Sequence, residues 1–399
     1  MTKSAAPIFI TGVGAVTSAG TNLENFWNNA VSETSGLNEL GLGTISDSAL
    51  NTLIGRVPEA KNLCKPALIA RVAIDDAMKE AGWSSLNKDD GLIIATTVGQ
   101  IPLWEDDMLQ YLQQKITTQQ FGKSILHQPL GSLAEVISTS LDFHGKSFIV
   151  SSACSAATQA IGLASHWIRQ GKVKRCLVGG TEVLSRLTIE GFRSLQLLSS
   201  DFSKPFDQSR QGINLSEGAA FFCLEANPER ATAKISGSGF STDAYHMASP
   251  HPEGRGSYQA MHAALQMAGI TPAEVTWIHA HGTGSRANDQ SEGAAIAQLF
   301  GKSAGPNDSS TPWASSSKWI HGHALAASGA IESALCIQAI RKKTILRTAG
   351  LVTPDPLISI RHPAKNIQTE IRHIVKNTLG FGGNNASLVF SALNSEGAR

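Results

Sequence analysis

No apolar run in the 399 residues approaches the roughly 20 that a membrane-spanning helix needs. Residues 1–10, MTKSAAPIFI, carry one lysine and too short an apolar core for a secretory signal. Charge of one sign is also missing: Lys plus Arg is 33 against 32 Asp plus Glu, a formal +1. No whole-chain basic field exists to hold nucleic acid, and no run of like charges marks a binding tail. Disorder is excluded as well, because low hydrophobicity and high net charge are both absent. Five cysteines (Cys64, Cys154, Cys176, Cys223, Cys336) are odd in number and dispersed, without CxxC spacing. They form neither a disulfide framework nor a zinc knuckle. The expectation is a soluble, cytoplasmic protein of two or three units, with no nucleic-acid or membrane partner.

Apolar residues make up 42% of the chain and aromatics only 6%, while glycine reaches 37. This balance predicts closely packed helices and strands joined by glycine turns. Ile8–Gly14 reads as a strand, Pro66–Gly82 as an amphipathic helix ended by Gly82, and Gly91–Thr97 as a buried strand. Ser147–Val150 is a short strand, followed by a helix over 155–169 and a strand over 176–179. Such alternation predicts an α/β protein. A second run begins near residue 231, where Ala233–Gly239 (AKISGSG) echoes Ile8–Gly14 (IFITGVG). Helix 258–268, strand 275–279 and helices 290–300 and 329–340 follow, then strands near 370–376 and 386–392. The chain divides on this reading into two similar α/β halves, 1–230 and 231–399.

Cys154 is the most informative single residue. It stands between an apolar strand and a helix, flanked by small residues in SSACSAA. A thiol there lies at the positive end of the helix dipole, which favours the nucleophilic thiolate. The other four cysteines read as buried structural residues. His281 opens a glycine-rich turn, HGTGS, where it is expected to face a cleft, and His279 one pleat away reads as a core histidine. Lys318, His321 and His323 fall in SKWIHGH before a small-residue helix. No HExxH and no carboxylate at ligand spacing supports a metal there. The Gly-Phe-Gly-Gly at 380–383 permits close backbone approach to a ligand.

These segments in this order resemble the β-ketoacyl-acyl-carrier-protein synthases, the condensing enzymes of fatty acid and polyketide synthesis. The match takes in ACS at Cys154, GFRSLQLLS at 191–199, KPFDQSRQG at 204–212 and DAYHMASPHPEG at 243–254. It continues through HGTGS at 281–285, SKWIHGH at 317–323 and GFGGNNAS at 380–387. The resemblance implies a thiolase fold, with duplicated βαβ halves in five layers, αβαβα. It also implies a dimer that works with acyl carrier protein and uses no cofactor beyond the carrier's phosphopantetheine.

Carried over by residue, Cys154 matches the acyl-accepting nucleophile, and His281 and His323 match the histidine pair at the site of malonyl decarboxylation. Lys318 matches the family's lysine, with Glu292 as its acidic partner. Phe381 matches the gating phenylalanine, whose N–H with that of Cys154 forms an oxyanion hole. Thr283 and Ser285 match hydroxyls that contact the phosphopantetheine arm. Relatives sometimes hold a structural monovalent cation. Glu332 and Asn385 match part of that site, but His279 stands where an Asn ligand is expected, so no metal is expected.

Ser285, Ala326, Ala248 and Ser216 depart from the family's usual residues without touching the nucleophile or the histidines. A chain-length-factor-like partner subunit, the chief alternative, would lack the cysteine. An initiating synthase would carry Asn in place of His323, and a thiolase would need a second cysteine near the C-terminus. Trp319 is shared with ketosynthases of polyene and pigment clusters, which sometimes pair with a chain-length factor. Thr96–Met108, with Trp104, is expected to line the acyl pocket. Lys61, Lys65 and Arg71 are candidates for docking the acidic carrier protein.

Overall fold

A computed structural model describes residues 6–393. Ten strands form one continuous sheet: β1 Ile8–Thr17, β2 Gly91–Ala95, β3 Lys146–Val150, β4 Arg175–Glu182, β5 Gly218–Glu225, β6 Ala233–Thr242, β7 Trp277–His279, β8 Trp313–Ser315, β9 His373–Leu379 and β10 Asn384–Ser391. Their order is β3-β2-β4-β5-β1-β6-β10-β9-β7-β8. Read outward from the β1–β6 seam, the two sides repeat one connectivity. On each side the first strand pairs antiparallel with a late strand, and the next two run parallel to one another. The seam itself is short, Ile8–Ile10 against Ala233–Ile235. The glycine echo between IFITGVG and AKISGSG therefore lies in the two strands that meet at the pseudo-symmetry axis.

The helices complete five layers. Helix α1 (Lys65–Ala81) covers one outer face, against β1 and β5. On this face Gly12 and Gly14 are required: a Cβ at either would lie 2.0 Å from a carbonyl oxygen of α1. Helix α2 (Ile101–Leu112) follows β2 and has no fully buried residue. Helix α3 (Ala156–Arg169) sits in the central layer, and α4 (Arg186–Ser194) lies over the site described below. Helix α5 (Arg255–Ala268) covers the second outer face, where Gly237 and Gly239 repeat the close approach. Helix α6 (Arg286–Phe300) packs beside α5. Helix α7 (Ser328–Lys342) joins α3 in the central layer.

The apolar core is divided accordingly. One cluster fills the middle around α3 and α7, a second lies under α1, and a third lies under α5 and α6. The layering is that of a thiolase fold. The strands and helices read from the sequence are present with ends shifted by a few residues. Among the described residues no helix is long and apolar enough to cross a membrane.

Candidate active site

The turn that carries Cys154 joins β3 to α3. Ala153 adopts φ +50°, a conformation rare for a residue with a Cβ, and places Cys154 just before Ser155, which opens the helix. The small residues after it are needed, since Ala156, Ala157 and Ala160 all pack in the central core. Cys154 is itself buried, and its Sγ and one ring nitrogen each of His281 and His323 lie within 4.8 Å of one another. The two imidazole rings meet edge to face at 5.2 Å. All three side chains open onto a cavity of about 330 Å³, lined also by Thr283, Ser285 and Phe381. Predicted site residues from four separate segments, at 154, 281–285, 323 and 381, are thus brought to one place.

Burial governs the electrostatics. It pushes the Cys154 thiol up to about 11, against the pull of Lys318 and of the N–H groups of Phe381 and Cys154. The expectation of a thiolate favoured by the helix dipole is corrected: desolvation outweighs it, and the resting residue is a neutral thiol. The other cysteines behave as structural residues. Cys176, Cys223 and Cys336 are fully buried with thiols raised by burial, and half-buried Cys64 donates to Gln100 Oε1 at 3.4 Å.

Burial, and then Lys318, holds both His281 and His323 well below the ordinary imidazole value, so both are neutral. His281 is buried where the sequence placed it open to a cleft, but its ring still reaches the cavity. Lys318 Nζ donates to His281 O at 2.7 Å and lies 3.3 Å from His281 Nδ1. An ammonium beside Nδ1 makes that nitrogen the acceptor and leaves the proton on Nε2. His323 Nδ1 pairs with Ser328 Oγ at 2.8 Å. His279 and His321 are core histidines as expected for the first. Each bonds Ser317 Oγ, and burial lowers each to about 3.

One predicted partnership is wrong. Lys318 pairs with Glu332 Oε1, not with Glu292. Glu292 instead accepts the backbone N–H of His281 at 2.7 Å and of Gly282 at 2.8 Å, together with Asn377 Nδ2. Asp289, one turn earlier on α6, accepts the N–H groups of Thr283 and Gly284 at 3.0 and 3.2 Å. Two buried carboxylates on α6 therefore cradle the backbone of the HGTGS turn and aim His281. Burial raises both of them, against these same hydrogen bonds. A loop cannot hold a side chain more firmly than its own backbone is held, which gives these carboxylates a positioning role.

The Gly-Phe-Gly-Gly turn faces Cys154. Gly382 and Gly383 adopt φ +75° and +78°, and a Cβ on Gly383 would lie 2.2 Å from Asp243 Oδ1. Gly382 N–H is taken by Met247 O, while that of Phe381 points at the thiol. The Phe381 ring stacks on Phe192 of α4 at 5.4 Å.

No residue of Thr96–Met108 lines this cavity; Trp104 packs toward Phe121 at 6.4 Å. Trp319 is half-buried, packs edge-on to Phe202 and closes over Gly350. Lys65 is paired with Glu217 at 2.6 Å and Arg71 with Asp75 at 2.9 Å. Only Lys61 of that trio has no acidic partner among the described residues.

Missed by sequence reading were Ser328, Asp289, Phe192, Lys376 and Glu182. Lys376 carries a visible signal, a lysine inside the apolar strand HIVKNTL. Glu182 is buried at the end of β4, where it accepts N–H groups from Thr97, Val98 and Ala326. Burial raises it to about 7.

Among the described residues, Cys154, His281 and His323 form the one set close enough to hold a metal ion. The Lys318 ammonium at 3.3 Å from one of its nitrogens opposes a divalent cation there.

Comparison with known proteins agrees with this geometry. Residues 51–230 match the beta-ketoacyl synthase N-terminal domain and residues 232–352 its C-terminal domain. Nodulation protein E of Rhizobium meliloti is 31% identical, with 96% of this chain and 98% of the relative covered. The 3-oxoacyl-[acyl-carrier-protein] synthase 2 of Synechocystis is 29% identical, over 96% and 97% of the two chains. Among solved structures, a chain of the ketosynthase ApeO in complex with its chain length factor ApeC, from Xenorhabdus doucetiae, superposes with a TM-score of 0.81 at 28% identity, covering 97% and 98%. A type II polyketide acyl-carrier protein–ketosynthase complex superposes at 0.86 with 26% identity, covering 98% and 100%. The family models cover 51–230 and 232–352, the relatives span nearly the whole chain, and the chain belongs to the beta-ketoacyl synthase family of thiolase-fold acyltransferases.

Proposed function

We propose that this chain is an elongating 3-oxoacyl-[acyl-carrier-protein] synthase. It would join a Cys154-bound acyl chain to malonyl carrier protein by decarboxylative Claisen condensation, in fatty acid or polyketide synthesis. The observation that carries this reading is the buried Cys154–His281–His323 cluster, within 4.8 Å, lining a cavity of about 330 Å³.

Each step follows from a placed group. The Cys154 sulfur attacks the acyl thioester, its S–C bond forms, the carrier's C–S bond breaks, and the thiol proton leaves with the carrier thiol. The N–H groups of Cys154 and Phe381 hold the oxyanion. Loss of one such donor typically raises the barrier by about 3–4 kcal/mol. Malonyl carrier protein then binds, with Thr283 and Ser285 on its arm. Cleavage of its C–CO₂ bond leaves an enolate, whose oxygen takes the Nε2–H of His281 and a ring N–H of His323. Neutral imidazoles donate without becoming acids, so the carbanion is stabilised rather than protonated. The carbanion attacks the Cys154 acyl carbon, the S–C bond breaks, the released Cys154 thiolate takes up a proton from water, and a 3-oxoacyl chain two carbons longer leaves on the carrier. This scheme calls on no redox or metal cofactor.

The partners follow from surface features. β3 is the edge of the sheet, with an unpaired side and Phe148 48% exposed, the kind of edge that a second chain extends. We read the partner as a second copy. The likeness to ketosynthases solved with chain length factors favours one further reading, a heterodimer in which this chain is the catalytic or the partner subunit.

Intact-protein mass after mixing with a panel of acyl carrier proteins, then malonyl carrier protein, tests the proposal. Native protein should gain one acyl group and release it as a 3-oxoacyl product, and Cys154→Ala should gain none. No uptake from any donor refutes catalysis by this chain alone and moves the partner-subunit reading forward.

A further inference from the structure

Lys376 lies in the interior strand β9, in register with His279 of β7, and its side chain is fully buried toward the central layer. Its ammonium contacts three oxygens: the Asn377 carbonyl, Thr378 Oγ1 at 3.0 Å and Glu332 Oε2 at 2.8 Å, the last an ion contact. The other oxygen of Glu332 takes Lys318. Two buried ammoniums thus share one buried carboxylate.

A carboxylate, a backbone carbonyl and a hydroxyl are the ligands that a small monovalent cation takes. Relatives sometimes hold such a cation around the positions of Glu332 and Asn385. The residues here do not fit it. The oxygens are already turned to the Lys376 ammonium, and a further cation would be a third positive charge on one carboxylate. The imidazole of His279 stands where an amide ligand is expected, and that position is the register partner of Lys376.

We propose that Lys376 is a tethered counter-cation of Glu332 that replaces a mobile monovalent ion and acts as a positioning residue for Lys318 and His281. Holding Oε2 leaves Oε1 for Lys318, whose ammonium in turn reaches His281 O and Nδ1. Because the ion is covalently part of β9, the alignment does not depend on the salt around the protein.

The experiment compares thermal midpoints in potassium, sodium, ammonium and tetramethylammonium chloride at one ionic strength. Its readout is folding, so it stands apart from the condensation reading. The native chain should shift by less than about 0.5 °C between the four salts, since no site discriminates them. Lys376→Ser should lower the midpoint by a few degrees and recover about 1–2 °C in potassium, sodium or ammonium at ten times the dissociation constant. Tetramethylammonium, too large for the vacated space, should recover none. Lys376→Met, which fills the space without charge, should lose stability without selective recovery. A native midpoint that rises selectively in potassium or sodium overturns the proposal, as does equal response of Lys376→Ser to all four salts. If Lys376→Ser does not fold, the native chain and Lys376→Met decide it by the same criteria.

Discussion

Glu332→Gln is the sharpest perturbation of this site, because it strands two buried ammoniums at once. The carboxylate lies 2.8 Å from Lys376 Nζ and in direct contact with Lys318 Nζ, all three side chains being at most 1% exposed. At an effective dielectric of ~20, each attraction is worth about 6 kcal/mol before desolvation. Much of that is spent on burying the charges, and removing one partner of a buried pair typically costs about 3–5 kcal/mol. If the chain unfolds as one unit, its unfolding entropy is about 0.8 kcal/mol/K, so this reads as about 4–6 °C in the midpoint.

The pH dependence separates stranded charge from lost packing. In the native chain the two lysines hold Glu332 well below the usual carboxylate range although burial alone would raise it, and burial already lowers Lys318. Without the carboxylate, the Lys318 ammonium titrates further below the unfolded lysine value of about 10.4. Between those two values the unfolded chain binds more protons, so the variant gains stability as pH rises. Its deficit should therefore shrink between pH 7 and pH 9.5, measured by thermal or urea unfolding beside the native chain. Glu292→Gln, which removes no direct contact to an ammonium, should show a deficit that stays flat. A Glu332→Gln deficit below about 1 kcal/mol, or one flat across this range, would refute the reasoning.

Two further outcomes are expected. With the Cys154 thiol pushed up to about 11, its alkylation by iodoacetamide at pH 7.5, located by peptide mass, should run about 300-fold slower than that of an ordinary thiol. The rate should still be rising at pH 10, and a plateau below pH 8 would show that burial does not control the thiol. Gly329→Ala places a Cβ 2.2 Å from Thr158 Oγ1 and 2.8 Å from Thr158 N, forcing α7 away from α3. A loss on the order of 1–3 kcal/mol is expected, and an unchanged midpoint would mean that the central layer has slack.

The alternation of strand and helix was legible because periodicity and glycine punctuation are local properties of the chain. The duplicated halves were legible from the paired glycines of IFITGVG and AKISGSG, which answer the same demand, a helix carbonyl pressed against a strand. Cys154 and His281 were legible because their neighbours are unusual, small residues around the one and glycines around the other, while His323 was singled out from His321 by the family resemblance. Glu292 was misassigned because sequence order places it near the histidine loop but says nothing of the direction of its side chain. On α6 it turns back to that loop's own backbone, while Lys318 finds Glu332 from the central helix. Lys65 and Arg71 likewise read as free charges in sequence, and their acidic partners appear only once the fold places them.

The sequence by itself, with the family resemblance its motifs carry, determined the fold class and pointed to the three residues that meet at the cavity. Each of these rests on local pattern or on motifs kept in order. Only the tertiary structure decided the protonation of the site. The neutral thiol, the neutral imidazoles, the tautomer of His281 and the shared carboxylate of Lys318 and Lys376 all depend on which side chains burial brings together. Desolvation and charge pairing act through space, across segments as far apart as Cys154 and Phe381, and no local pattern encodes them.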